Sequence, residues 1–206
     1  MGGTARGESP ISEAEGQALV ALARQTIAKR LGRPLVSAAQ EALVPLLKAP
    51  ALQQRCGTFV TLKVQGQLRG CIGSLVSTDS IVEGVRENAI NAAFGDPRFP
   101  PLTREELDAA AIEVSVLTEP QPLDYRDADD LVAKLRPGID GLIIRQGIAS
   151  ATFLPQVWEQ LPDPQQFLAH LCLKAGLPMD AWQSGSLTVM TYQVQYFEEG
   201  DGANAR

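Results

Sequence analysis

The chain reads as an α+β protein with a mainly antiparallel sheet, flanking helices, and a larger lobe plus a smaller lobe. Three observations predict this. Strand-like stretches come in pairs joined by tight turns, at Gln65-Gly66 and at Gln146-Gly147. Helical stretches do not alternate one by one with strands, so the regular βαβ units of a doubly wound parallel sheet are missing. The length of 206 residues suits one large domain, or a domain carrying a smaller lobe, with chain enough for a substantial core.

The elements follow in order. Ser12 and Glu15 have capping-box spacing, and Leu19, Leu22, Ala23, Ile27 and Leu31 then recur at helical intervals up to Gly32. A second helix is expected over Ser37 to Leu47, ended or kinked by Pro45. Thr58, Val60, Leu62 and Val64 alternate with Phe59, Thr61 and Lys63, and a return strand follows over Gln67 to Val76. Ser80 to Phe94 is helical and stops at Gly95. Asp96 to Leu102, with three prolines in seven residues, is a loop. Thr103 and Glu106 cap a short helix. Ala111 to Thr118 is a strand with Ile112, Val114 and Val116 on one face. Asp127 to Leu135 is a helix; Gly141 to Arg145 and Ser150 to Leu154 form a hairpin. Asp163-Pro164 opens a helix that reaches Ala175 and stops at Gly176. Leu187 to Phe197 is expected to be one long final strand. Residues 12–199 form a single domain of two lobes in this scheme, with 1–11 and 200–206 as flexible tails.

Composition excludes several classes. A formal net charge of −6, with no lysine or arginine cluster, argues against nucleic-acid binding. No apolar run is long enough to span a bilayer, so no membrane partner is expected, and the first residues do not read as a secretory signal. Three cysteines without framework spacing read as reduced thiols, and the expected location is cytoplasmic.

Cys71 is the first candidate for chemistry. On a strand Arg69 shares its face, and a guanidinium beside a thiol favours the nucleophilic thiolate. Gly70 and Gly73 flank it without side chains, which lets a ligand or another stretch of backbone come close. Against this, free cysteine is often simply buried, and strand glycines often mark a bulge. On these residues alone burial is the better reading, and Arg69 narrows the gap. His170 is the one histidine, which excludes sites needing two; it lies off the apolar face of its helix. Arg98, on the rigid Asp96-to-Phe99 loop, offers a planar donor fork to a carboxylate or phosphate, or pairs with Asp96. Glu113 sits mid-strand among apolar residues; a buried face there would raise its pKa unless Arg69 or Arg98 pairs with it. Asn88 and Asn91, one helical turn apart, either bind a ligand or face solvent. No metal site is expected, since no close CxxC or HxxxH spacing occurs, and no nucleotide or nucleophile-elbow motif is present.

Seven segments together resemble the AMMECR domain, protein A of the AmmeMemoRadiSam system. They are GTFVTL from Gly57, LRGCIGSL at Leu68–Leu75, NAINAAFGDPRFPPL at Asn88–Leu102, IEVSVLTEP at Ile112–Pro120, DGLII at Asp140–Ile144, ATFLPQVW at Ala151–Trp158 and FLAHLCLKAGL at Phe167–Leu177. The resemblance covers nearly the whole chain outside the termini. It implies an α+β fold of two lobes with the RGCIG segment lining a cleft. It also implies company: a Memo-like protein and a radical SAM protein. It carries over Arg69, Gly70, Cys71, Ile72 and Gly73 as signature residues, with Arg98, Phe153, Leu154 and Pro155 in further motifs. It implies neither a reaction nor a cofactor. Some members have histidine before the glycine of DGLII, where this chain has Asp140.

Two functions follow as expectations. One is a thiol-dependent enzyme or enzyme subunit, with Cys71 and Arg69 catalytic and Gly70, Gly73, Arg98, Phe153 and Pro155 binding a small-molecule or peptide ligand. The other is a non-catalytic binding or adaptor component of the same system.

Overall fold

The computed structural model describes residues 11–33, 37–75 and 78–199. Of the tails expected at 1–11 and 200–206, all but Ile11 lies outside them. Ile11 is described: it is buried, and its N–H donates to Gln195 Oε1. Among the described residues the fold is α+β, with six α-helices and two four-stranded sheets. The chain divides into two compact units, Met1–Leu117 with Gln195–Arg206, and Thr118–Val194.

In the first unit, α1 (Glu13–Arg30) begins at the expected Ser12–Glu15 capping box, and its Leu19, Leu22, Ala23 and Ile27 stripe is buried. Helix α2 (Ser37–Leu47) runs through Pro45 for two more residues, so the proline does not end it. Strands β1 (Thr58–Val64) and β2 (Gln67–Ser74) form the hairpin; Val76, the expected end of the second strand, lies outside the described residues. Helix α3 (Ile81–Phe94) starts at Ser80, whose hydroxyl accepts the Glu83 N–H. Helix α4 (Arg104–Ala109) has the expected Thr103–Glu106 capping box and leads into β3 (Ala110–Leu117). The sheet order is β2-β1-β3-β8, where β8 is Val194–Glu198. Pairs β1–β2 and β1–β3 are antiparallel. Val60, Leu62, Ile112 and Val114 are buried in one core cluster with the α1 stripe and with Val85, Ala89 and Ala92 of α3. This is the packing that the two periodicities require.

In the second unit the sheet order is β4-β7-β5-β6, from Gln121–Pro122, Thr188–Tyr192, Gly141–Gln146 and Ala149–Phe153 respectively. Helices α5 (Ala128–Lys134) and α6 (Pro164–Lys174) start at Asp127 and Asp163, as their caps predict. The core gathers Leu131, Leu142, Ile144, Phe167, Leu171 and Val189. The β5–β6 turn is Gly147-Ile148, one residue later than expected, with Gly147 at φ 59.

One expectation fails clearly. Leu187 to Phe197 is two strands, not one: β7 joins the second sheet and β8 the first. The break falls at Gln193, whose backbone exchanges hydrogen bonds with Thr118, the other point where the chain passes between units.

Candidate functional site

The site is built on the outer strand β2. Its pairing with β1 shifts between Leu62 and Lys63: Leu62 faces Gly70, Lys63 faces Leu68, and Arg69 is left without a partner as the extra residue of a bulge. After the bulge Thr61 sits opposite both Cys71 and Glu113, making a row across β2, β1 and β3.

The glycines are explained by the protein's own chain. A Cβ on Gly70 would stand 2.1 Å from the Ala92 carbonyl oxygen of α3, and one on Gly73 would stand 2.3 Å from the Phe59 ring and the Thr58 carbonyl. The close approach open in the sequence is therefore to backbone and side chains of the same unit. Asn88 is neither solvated nor free for a ligand. It is buried, and its Nδ2 donates to the Thr58 carbonyl (3.0 Å) and hydroxyl (2.9 Å), tying α3 to β1.

Cys71 is the half-buried thiol of the three; Cys56 and Cys172 are buried. Thr61 Oγ1 donates to its sulfur at 3.2 Å. Its backbone is held from the open side of the strand. The Cys71 N–H donates to Asp96 Oδ2 (2.9 Å), and Arg98 Nη2 donates to the Cys71 carbonyl (3.1 Å). Arg98 and Asp96 also bind each other, through Nε (2.9 Å) and Nη2 (2.6 Å). One carboxylate and one guanidinium thus supply the acceptor and the donor that a neighbouring strand would have supplied to this edge. The Asp96 side chain is only 2% exposed. Its carboxyl is held well below the ordinary range, first by Arg98, with the N–H groups of Cys71 and Arg98 assisting against burial. Because the Cys71 N–H is spent on Asp96, it is not an oxyanion donor.

Arg69 is 12% exposed and is directed at Glu106, through Nε (2.8 Å) and Nη2 (3.0 Å). That pairing, with the Thr103 N–H, lowers the Glu106 carboxyl. Phe99 lies near both guanidiniums, 5.8 Å from Arg69 and 5.5 Å from Arg98. Glu113 pairs with neither arginine. Its partner is Lys63 (2.9 Å), the next outward residue on β1 after Thr61, and Lys63 also reaches Glu198 (3.1 Å). A cavity of about 350 Å³ opens beside these three groups.

Phe153 and Pro155 belong to the second unit and serve its core. Phe153 meets Phe167 edge-on at 5.2 Å. Pro155 opens a 3₁₀ turn (Pro155–Glu159) that lays Trp158 flat on Phe167 at 3.7 Å, with its Nε1 donating to the Asp140 carbonyl. Asp140 itself is buried and accepts from Arg136 at 2.5 and 2.9 Å. His170 is exposed on α6, and burial pushes the Cys172 thiol up. Cys71 is in one unit, His170 and Cys172 in the other. Among the described residues no three metal-ligating side chains are gathered, and no helix is long and apolar enough to cross a membrane.

Thr61, Asp96 and Glu106 were not singled out by the sequence as partners of the signature strand. A regular count back from the Gln65-Gly66 turn places Thr61 opposite Gly70; only the bulge brings it opposite Cys71.

Comparison with known proteins gives consistent matches. A model of the AMMECR1 family matches residues 20–197. A protein of Methanothermobacter thermautotrophicus is 41% identical over 192 residues, covering 93% of this chain and 97% of the relative. Protein MJ0810 of Methanocaldococcus jannaschii is 38% identical, covering 88% and 92%. The crystal structure of uncharacterized protein PH0010 from Pyrococcus horikoshii superposes with a TM-score of 0.76 at 37% identity, covering 92% of this chain and 93% of that one.

Proposed function

Since the chain belongs to the AMMECR1 family, we propose that it works through Cys71, the reacting thiol of a ligand site on the RGCIG strand, in an enzyme or enzyme subunit that acts with Memo-like and radical SAM proteins. The observation that carries this is the fixing of one half-buried thiol. Its N–H and carbonyl are clamped by Asp96 and Arg98, and its sulfur receives the Thr61 hydroxyl. A reacting atom held this way meets its substrate with little reorganisation left to do. Cys56 and Cys172 have no such access.

A second reading, a non-catalytic adaptor, is favoured by a separate observation. Arg69 and Arg98 are engaged by Glu106 and Asp96, and the space beside Gly70 and Gly73 is filled from within. The signature would then shape a surface and not a reaction centre.

Alkylation of the native protein with iodoacetamide, followed by peptide mass spectrometry, tests the first reading. Cys71 is expected to be modified first and fastest. Earlier modification of Cys56 or Cys172 would remove the basis for a reacting thiol at position 71. Metabolite profiling with the two partner proteins then separates the readings. Cys71→Ser should abolish any turnover, whereas an unchanged product profile would favour the adaptor.

A further inference from the structure

Strand β6 forms one edge of the second sheet, and it lacks most of the devices that protect natural edges from pairing. From Gln146 to Gln156 the chain carries no charge, and no proline precedes Pro155. Ile148, at the tip of the hairpin, is fully exposed. The two-residue turn sets which groups point outward. Gln146 and Ala149 close it, so Ala149, Ala151 and Phe153 bond inward to β5, while the N–H and C=O of Ser150 and Thr152 face away. The Thr152 carbonyl confirms this direction by accepting Lys174 Nζ at 2.9 Å.

We infer that β6 pairs antiparallel with β6 of a second copy of this chain, about a two-fold axis at Ala151, joining two sheets into one. The strand is complementary to itself in that register. Ser150 of each copy exchanges both backbone hydrogen bonds with Thr152 of the other. Ala151 meets Ala151 at the axis, a non-hydrogen-bonded position where the strands come closest and the smallest side chain fits. Ala149 meets Phe153, small against large, and Ile148 is covered by Leu154 of the second copy. Such an interface is isologous, so it closes at a dimer. Lys174, which also lies 5.1 Å over the Phe153 ring, has to release the Thr152 carbonyl; its long, flexible stem allows that, and the Ser150 N–H replaces it as donor.

The test is the light-scattering mass of the full chain as concentration rises through the micromolar range. The wild type is expected to approach twice the monomer mass, with the Ser150 amide gaining protection from hydrogen exchange as it does so. Ser150→Pro removes an outward N–H that the chain's own sheet does not use, and should weaken association by roughly tenfold or more at retained secondary structure. Should that variant fail to fold, Ile148→Lys at the turn tip serves instead, placing two like charges at the interface. A wild type that stays monomeric throughout, or a folded Ser150→Pro or Ile148→Lys that associates as the wild type does, overturns the inference.

Discussion

Asp96 shows how much one side chain can organise. It is buried, accepts from two backbone N–H groups and one guanidinium, and fixes the strand that carries Cys71. Because its carboxyl titrates below the ordinary value of 3.8, it contributes stability that is fully present above that value and is lost as pH falls below it. Asp96→Asn should therefore cost about 1.5–3 kcal/mol at neutral pH, the range for hydrogen bonds to charged groups. The gap between wild type and variant should narrow in acid, below about pH 4. Urea titrations at a series of pH values measure this, and a constant gap at every pH would show that the charge is not what matters. The sequence suggested the Asp96–Arg98 pair, since two residues apart in a proline-bound loop they can meet. It did not suggest that both would bind the Cys71 backbone, because nothing in a loop without periodicity says which strand edge it lies along.

At the scale of elements, caps and glycines made most boundaries legible: both capping boxes formed, and Gly32 and Gly176 end their helices at positive φ. The last strand was not legible in the same way. Residues with strand preference continue through Gln193, and preference records that a strand forms, not which sheet receives it. The contact between β2 and α3 gives a sharper test of the core. Gly70 is where the helix backbone comes closest, so Gly70→Ala must push Ala92 away. Overpacking of this kind costs about 1–3 kcal/mol, and contact with backbone, which cannot rotate aside, places this substitution at the upper end. Chemical denaturation measures the loss, and a neutral result would mean that α3 and β2 can separate without cost. A second readout is Cys71 alkylation, which should quicken as the strand loosens.

At the scale of the whole molecule, the first unit is closed by β8 and the residue that follows it, which return from beyond the second unit. Phe197 fills the notch at Gly16 on α1, where a Cβ would stand 2.0 Å from its ring, and Glu199 binds Arg24 and the Ile112 N–H. Deleting the chain after Val194 should unfold or loosen the first unit while the second, Thr118–Val194, keeps every one of its strands and helices. Hydrogen exchange read by mass spectrometry would show this as lost protection in the first unit, α1 and β3 foremost, with the second unit unchanged. Full protection of those two elements in the truncated chain would mean that β8 is an ornament on a finished fold.

The break at Gln193 also sets an order in time. A ribosome delivers the chain from its first residue, and units built early usually close early. Here the first unit must wait, with the outer side of β3 unpaired and the Gly16 notch empty, until β8 is released. The second unit, continuous in the chain, is complete before then. The half begun first therefore waits for β8, and any pause or stop between Gln193 and the completion of β8 leaves a nascent chain whose second unit is continuous and whose signature strand stands in a sheet with β3 still unpaired on its outer side.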